Sequence, residues 1–80
     1  MIKETKAAGA YCNRGNALFA KGDYARAIAD YTKAIELQPN SAAAYQARGE
    51  AYAKQHNAAL AQADYDIVLQ IGRQQSTAAQ

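Results

Sequence analysis

The sequence predicts an all-α fold of tandem helix–turn–helix repeats, a fragment of an α–α superhelix or solenoid. Three observations carry this. A shift of 34 positions lays residues 8–41 on residues 42–75 and superimposes Tyr11 on Tyr45, Arg14 on Arg48, Gly15 on Gly49, Asp30 on Asp64 and Tyr31 on Tyr65. Further Ala-on-Ala matches count for little in a chain this rich in alanine. A period of this length marks stacked supersecondary units, which usually offer a surface rather than perform chemistry. Within each copy, apolar residues recur at helical spacing, and turn residues interrupt them at equivalent places.

The first helix is expected over about Ala8 to Lys21, with Tyr11, Gly15 and Leu18 on one side. Gly22 ends it, because glycine tolerates the left-handed conformation of a helix terminus, and Asp23 can cap the next helix. The second, about Tyr24 to Leu37, has the clearest pattern: Tyr24, Ala27, Ile28, Tyr31, Ala34 and Ile35 form one face. Arg26, Asp30, Lys33 and Glu36 occupy the other, with Arg26–Asp30 and Lys33–Glu36 as expected weak pairs. Pro39 stops this helix, and Asn40 or Ser41 caps the third. The third helix, about Ala42 to Gln55, repeats the first with Tyr45, Gly49 and Tyr52 inward. His56 stands in the place of Gly22 and Asn57 in that of Asp23. A fourth helix is expected from about Ala58 to Ile71, ending at Gly72, with the polar residues 73–80 fraying.

Eighty residues allow one small domain, residues 1–80, with repeat one at 8–41, repeat two at 42–75 and a polar tail at 76–80. The net charge is +2, and the basic and acidic residues are interspersed. That argues against a nucleic-acid partner, which would want Lys and Arg clustered on one face. A single Cys forms no internal disulfide and fits a reducing compartment. The segment MIKETKAAGAYCNRG lacks the apolar run of a signal peptide or membrane span, so a cytoplasmic location and no membrane partner are expected.

The spacing Tyr11, Arg14, Gly15, Leu18, Ala27, Tyr31, Pro39, and again Tyr45, Arg48, Gly49, Tyr52, Ala61, Tyr65, resembles two tetratricopeptide repeats covering about residues 8–75. The second copy departs from the pattern with Arg73 in place of the Pro, and Arg14 and Arg48 fall where the family prefers Leu. Small residues let two helices cross closely, so Gly15 against Ala27 and Gly49 against Ala61 are expected crossings, with Tyr31 and Tyr65 filling the adjoining space. The Arg14 and Arg48 stems can cover apolar surface while their heads reach water or carboxylates such as Asp30 and Asp64.

The resemblance implies a concave groove lined by the first helix of each unit, in which partner peptides lie. Carried over by position, the groove residues are Cys12, Asn13, Asn16 and Phe19, with Gln46, Ala47, Glu50, Ala53 and Lys54. Asn and Gln can grip a peptide backbone, and Phe19 can anchor an apolar side chain, whereas the alternative is a solvated polar face with Phe19 tucked against its neighbours. One subclass of the family clamps the C-terminal carboxylate of chaperones with a Lys, two Asn and further basic residues on a fifth helix. Here Asn16 matches, but Cys12 replaces the Lys and Ala47 the second Asn, which speaks against that ligand.

Where the second helix shows Arg26 and Lys33, the fourth shows Leu60 and Ile67, with Ile71 extending the stripe. A terminal helix of a repeat array ordinarily carries a polar cap. This apolar face is therefore expected to be covered by another copy or by further units, or else by the tail folding back.

No catalytic constellation is visible. Cys12 and His56 lie far apart in sequence with no orienting third group, Asp64 and Asp66 point different ways on their helix, and no ligand spacing suggests a metal or cofactor. The sequence thus predicts a non-enzymatic adaptor that binds a protein or peptide and associates with itself through the fourth helix. The alternative is a structural assembly element with no separate groove ligand.

Overall fold

The computed structural model describes the backbone of residues 2–78 and the side chains of residues 7–74. Four helices follow in order: α1 (Ile2–Ala20), α2 (Tyr24–Leu37), α3 (Ala42–Lys54) and α4 (Ala58–Ala78). Each packs on its chain neighbours, and α1 and α3 meet only lightly. The result is a slab 41 × 31 × 16 Å in extent.

The two hairpin turns share one backbone design. After α1, Gly22 donates to the Phe19 carbonyl (2.9 Å) and Asp23 to the Leu18 carbonyl (2.9 Å). After α3, His56 donates to Ala53 (3.0 Å) and Asn57 to Tyr52 (2.9 Å). These bonds satisfy the last carbonyls of each helix and require a left-handed residue at the first turn position. Gly22 takes it at φ 85° and His56 at φ 64°. Asp23 and Asn57 then cap the following helices through Arg26 N (3.3 Å) and Leu60 N (3.4 Å). Between the repeats, Ser41 supplies the cap by accepting from Ala44 N (3.3 Å).

Two apolar clusters lie between the repeats. One joins Ala8, Ala34 and Ala44, with Tyr11, Cys12, Ile35 and Leu37 around it. The other joins Ala27, Tyr31 and Ala51, flanked by residues that include Leu18, Phe19, Tyr24, Ile28 and Ala47. Alanines at the contact let α2 and α3 approach closely, which is why a chain poor in large aliphatics still forms a core. Within each hairpin the tight contact is between a glycine and a ring. A Cβ on Gly15 would lie 2.7 Å from the Tyr31 ring, and one on Gly49 2.7 Å from that of Tyr65. The expected Gly15–Ala27 and Gly49–Ala61 crossings are thus replaced at closest approach by the tyrosines. The rings do not merely fill space beside the glycines; they occupy the volume the glycines leave.

The structure corrects three further expectations. Helix α4 runs through Gly72 and Arg73 to Ala78. A glycine weakens a helix by about 1 kcal/mol without breaking it, and the Pro that ends α2 is missing here. Helix α1 likewise begins at Ile2, ahead of Ala8, since nothing in residues 2–7 interrupts it. Arg26 pairs with Asp23 (3.5 Å) rather than with Asp30, which Arg14 engages; Lys33–Glu36 forms at 3.7 Å.

His56→Gly relieves the left-handed strain while keeping the turn, and is expected to raise the urea-unfolding free energy by about 0.5–1 kcal/mol. A decrease would show that the imidazole contributes more than its backbone costs. Gly15→Ala should lower stability by about 1–3 kcal/mol through the clash with Tyr31. Gly9→Ala, with open space around it, should gain by up to about 1 kcal/mol from helix propensity. Equal effects at the two sites in thermal melts would contradict the packing assignment.

Candidate partner-binding site

Tyr31 of α2 organises the surface between α1 and α3. Its ring lies on Gly15, only 1 % of the residue is exposed, and its hydroxyl donates to Asn16 Oδ1 at 2.6 Å. Burial raises its pKa, and nearby Cys12, Glu50 and Asp30 oppose its ionisation further. Asn16 and Cys12 of α1 thus border one buried phenol that stays protonated. Gln46 donates to Glu50 (3.3 Å) across one helical turn. Phe19 stands edge-on to Tyr24, with centroids 5.1 Å apart and planes at 71°. Asn16, Gln46, Glu50, Ala53 and Lys54 are exposed, and Cys12 and Phe19 are half-buried. Burial also raises the Cys12 thiol pKa, which disfavours the nucleophilic thiolate.

One residue expected in the groove is placed otherwise. Ala47 packs on the Ala27–Tyr31–Ala51 cluster, so it belongs to the contact between repeats. Asn13, its counterpart one repeat earlier, is exposed at the corresponding position of α1. Ile71 is also not part of an exposed stripe: it is 7 % exposed, in the position of the inward-facing Leu37. Leu60 is 45 % exposed and Ile67 half-buried.

The arginines form forked pairs across each hairpin. Arg14 donates through Nε (2.7 Å) and Nη2 (2.8 Å) to Asp30, and Arg48 through the same atoms to Asp64 (2.9 and 2.8 Å). Arg48 gives its Nη1 to Thr32 Oγ1 of the preceding repeat at 3.2 Å and lies over the rings of Tyr45 and Tyr52. Hydrogen bonds from Arg14 hold the Asp30 carboxyl below its ordinary pKa, against the opposing effect of burial.

Sequence reasoning passed over the far end of the molecule. A cleft of about 460 Å³ is lined by Ala53, His56, Ala58, Ala61, Gln62 and Tyr65. The shift of 34 positions was the available signal: it maps these residues onto Phe19, Gly22, Tyr24, Ala27, Ile28 and Tyr31, a surface largely covered by α3 in the first repeat. Leu69, 59 % exposed, likewise takes the position of Ile35, which packs at the Ala44 cluster.

A tetratricopeptide repeat profile matches residues 8–41, and a second profile of the same description matches residues 30–63. The chain belongs to the tetratricopeptide repeat family. It is also similar to the Hsp70-Hsp90 organizing protein 3 of Arabidopsis thaliana, 46 % identical over 44 residues. The match covers 55 % of this chain and 8 % of that protein. Tetratricopeptide repeats generally mediate protein–protein contacts and are generally non-catalytic. Among the described residues, no group of three or more His, Cys, Asp or Glu side chains could hold a metal ion, and no helix is long and apolar enough to cross a membrane.

The Asp30 pair has a defined pH signature. Its carboxyl has a folded pKa below the ordinary value of about 3.9, so its contribution to stability is complete above that value and is lost as pH falls through the folded pKa. Unfolding free energy should drop on acidification from about pH 5 to about pH 2, and Asp30→Asn should flatten part of that drop. Denaturant titrations at each pH give the slopes; identical slopes would remove Asp30 from the acid response.

Proposed function

We propose that this tetratricopeptide repeat chain is an adaptor that holds an extended segment of a partner protein against the α1–α3 surface. The observation that carries the reading is the bond from the buried Tyr31 hydroxyl to the exposed Asn16, which fixes that amide on the α1 face. A side chain already fixed by a buried donor loses less freedom when a ligand arrives, and that favours binding. Asn16 and Gln46 offer amide groups to a peptide backbone, Glu50 an acceptor for a basic or amide side chain, and Phe19 an apolar contact.

The similarity to a protein named as an Hsp70-Hsp90 organizer raises a chaperone tail as ligand. The local chemistry favours another kind of segment. A terminal carboxylate wants a cation, but Cys12 stands where the clamp pattern has Lys; Ala47, where it has Asn, is packed between the repeats. An internal segment read through its backbone fits these residues better. A cytoplasmic location accords with the lone thiol.

Selecting a random peptide library on the full chain, then titrating a selected peptide into 15N-labelled protein, tests the reading. Amide shifts should cluster at Asn16, Gln46, Glu50 and Lys54, and Glu50→Lys should weaken binding by about tenfold or more. Shifts confined to the outer faces of α2 and α4 would refute groove binding.

A second reading, association of copies, is favoured by the exposed Leu69 and the open cleft at the α4 end.

A further inference from the structure

The internal contact between the repeats shows what each open end of the molecule accepts. Helix α3 lies on repeat one through Ala44 and Ala51, both 0 % exposed, and the half-buried Ala47. One repeat earlier, α1 presents Ala10, Asn13 and Ala17 at the same positions, and all three are exposed. At the other end stands the cleft bounded by Ala61 and Tyr65, equivalent to the surface on which α3 sits. A second cleft, of about 340 Å³ and lined by Ala7, Ala10, Tyr11 and Arg14, opens at the α1 end. The molecule thus carries both halves of its own interior joint, one at each end.

We infer that the α1 face of one copy docks on the α4 end of another, head to tail, continuing the contact that joins the two repeats. The inference rests on the second reading above, that copies of this chain associate. The differences between the repeats favour this occupant over an arbitrary helix. Thr32, which accepts from Arg48 across the internal joint, is replaced at the open end by Asp66. The residue that a docked copy brings to Asp66 is Arg14. Arg14 uses Nε and Nη2 on Asp30 as Arg48 does on Asp64, and its side chain is 66 % exposed, against 18 % for Arg48. Its Nη1 is thus placed to donate to the carboxylate as Arg48 Nη1 donates to the hydroxyl. The polar changes also match. Asn13 replaces Ala47 and Gln62 replaces Ile28, both in the shell of the same cluster, so an amide meets an amide where the internal joint is apolar. Leu69 receives Ala10 as the cluster at Ile35 receives Ala44. Such a contact is heterologous and does not close on itself in a pair, so it propagates.

Sedimentation velocity on the full chain tests this, with circular dichroism confirming the fold of each variant. Ala17→Arg blocks the head, and Asp66→Arg blocks the tail while leaving the Arg14–Asp30 pair intact. Wild type should show a weight-average mass that climbs with concentration up to about 1 mM, where even weak contacts populate. Each variant alone should stay monomeric, and an equimolar mixture of the two should form a dimer and stop there. Wild-type association unchanged by either variant would overturn the head-to-tail joint and leave the association reading standing. A wild type monomeric throughout would overturn both, without touching groove binding.

Discussion

A tyrosine ring laid on a glycine is the constraint from which the rest follows. In each hairpin the ring of the second helix occupies the volume that a Cβ on the first would need. This sets how near the two helices lie and how they are rotated about their axes. In the first hairpin the same ring buries its other edge beneath α3 and reaches Asn16 with its hydroxyl. One side chain therefore joins hairpin closure, the stacking of the repeats and the proposed binding surface. The forked Arg–Asp pairs act in the same direction. A bidentate pair is directional, so it resists sliding of one helix along the other in a way that alanine contacts cannot.

The second hairpin uses the same ring, glycine and ion pair, with its ring less covered. Tyr31 is 1 % exposed, whereas Tyr65 is half-buried beside an open cleft. The contrast between Arg14 and Arg48 runs the other way along the chain: the Arg48 side chain, against repeat one, is 18 % exposed and that of Arg14 is 66 % exposed. Burial in this molecule is thus set by position in the stack as much as by residue type.

The helices, their turns and the family were legible because each rests on local chemistry. Gly22, Asp23, Pro39 and Ser41 act through their own backbone and the adjacent residues, so spacing alone reveals them. The length of α4 was misread because Gly72 was given the weight of a breaker, although a glycine with open space around it only weakens a helix. The surfaces were harder to read. Ala47 and Ile71 look available on a helical projection, yet the third and fourth positions of a helix turn differ only in which neighbour they meet, and that is a tertiary fact. Of the two arginines the sequence offers Asp30, Arg14 takes it and Arg26 does not, because a local spacing of four loses to the better geometry of a forked contact from another helix.

The strained turn at His56 and the single-sided support of α4 together give the fold a direction. Among the described residues helix α4 rests on α3 alone, whereas α2 and α3 are each held from two sides. The bend that returns the chain to α3 is also the one that forces an imidazole-bearing residue into a backbone region suited to glycine. The last helix is therefore the element whose opening costs least, and its amides should exchange with solvent before those of α2 and α3.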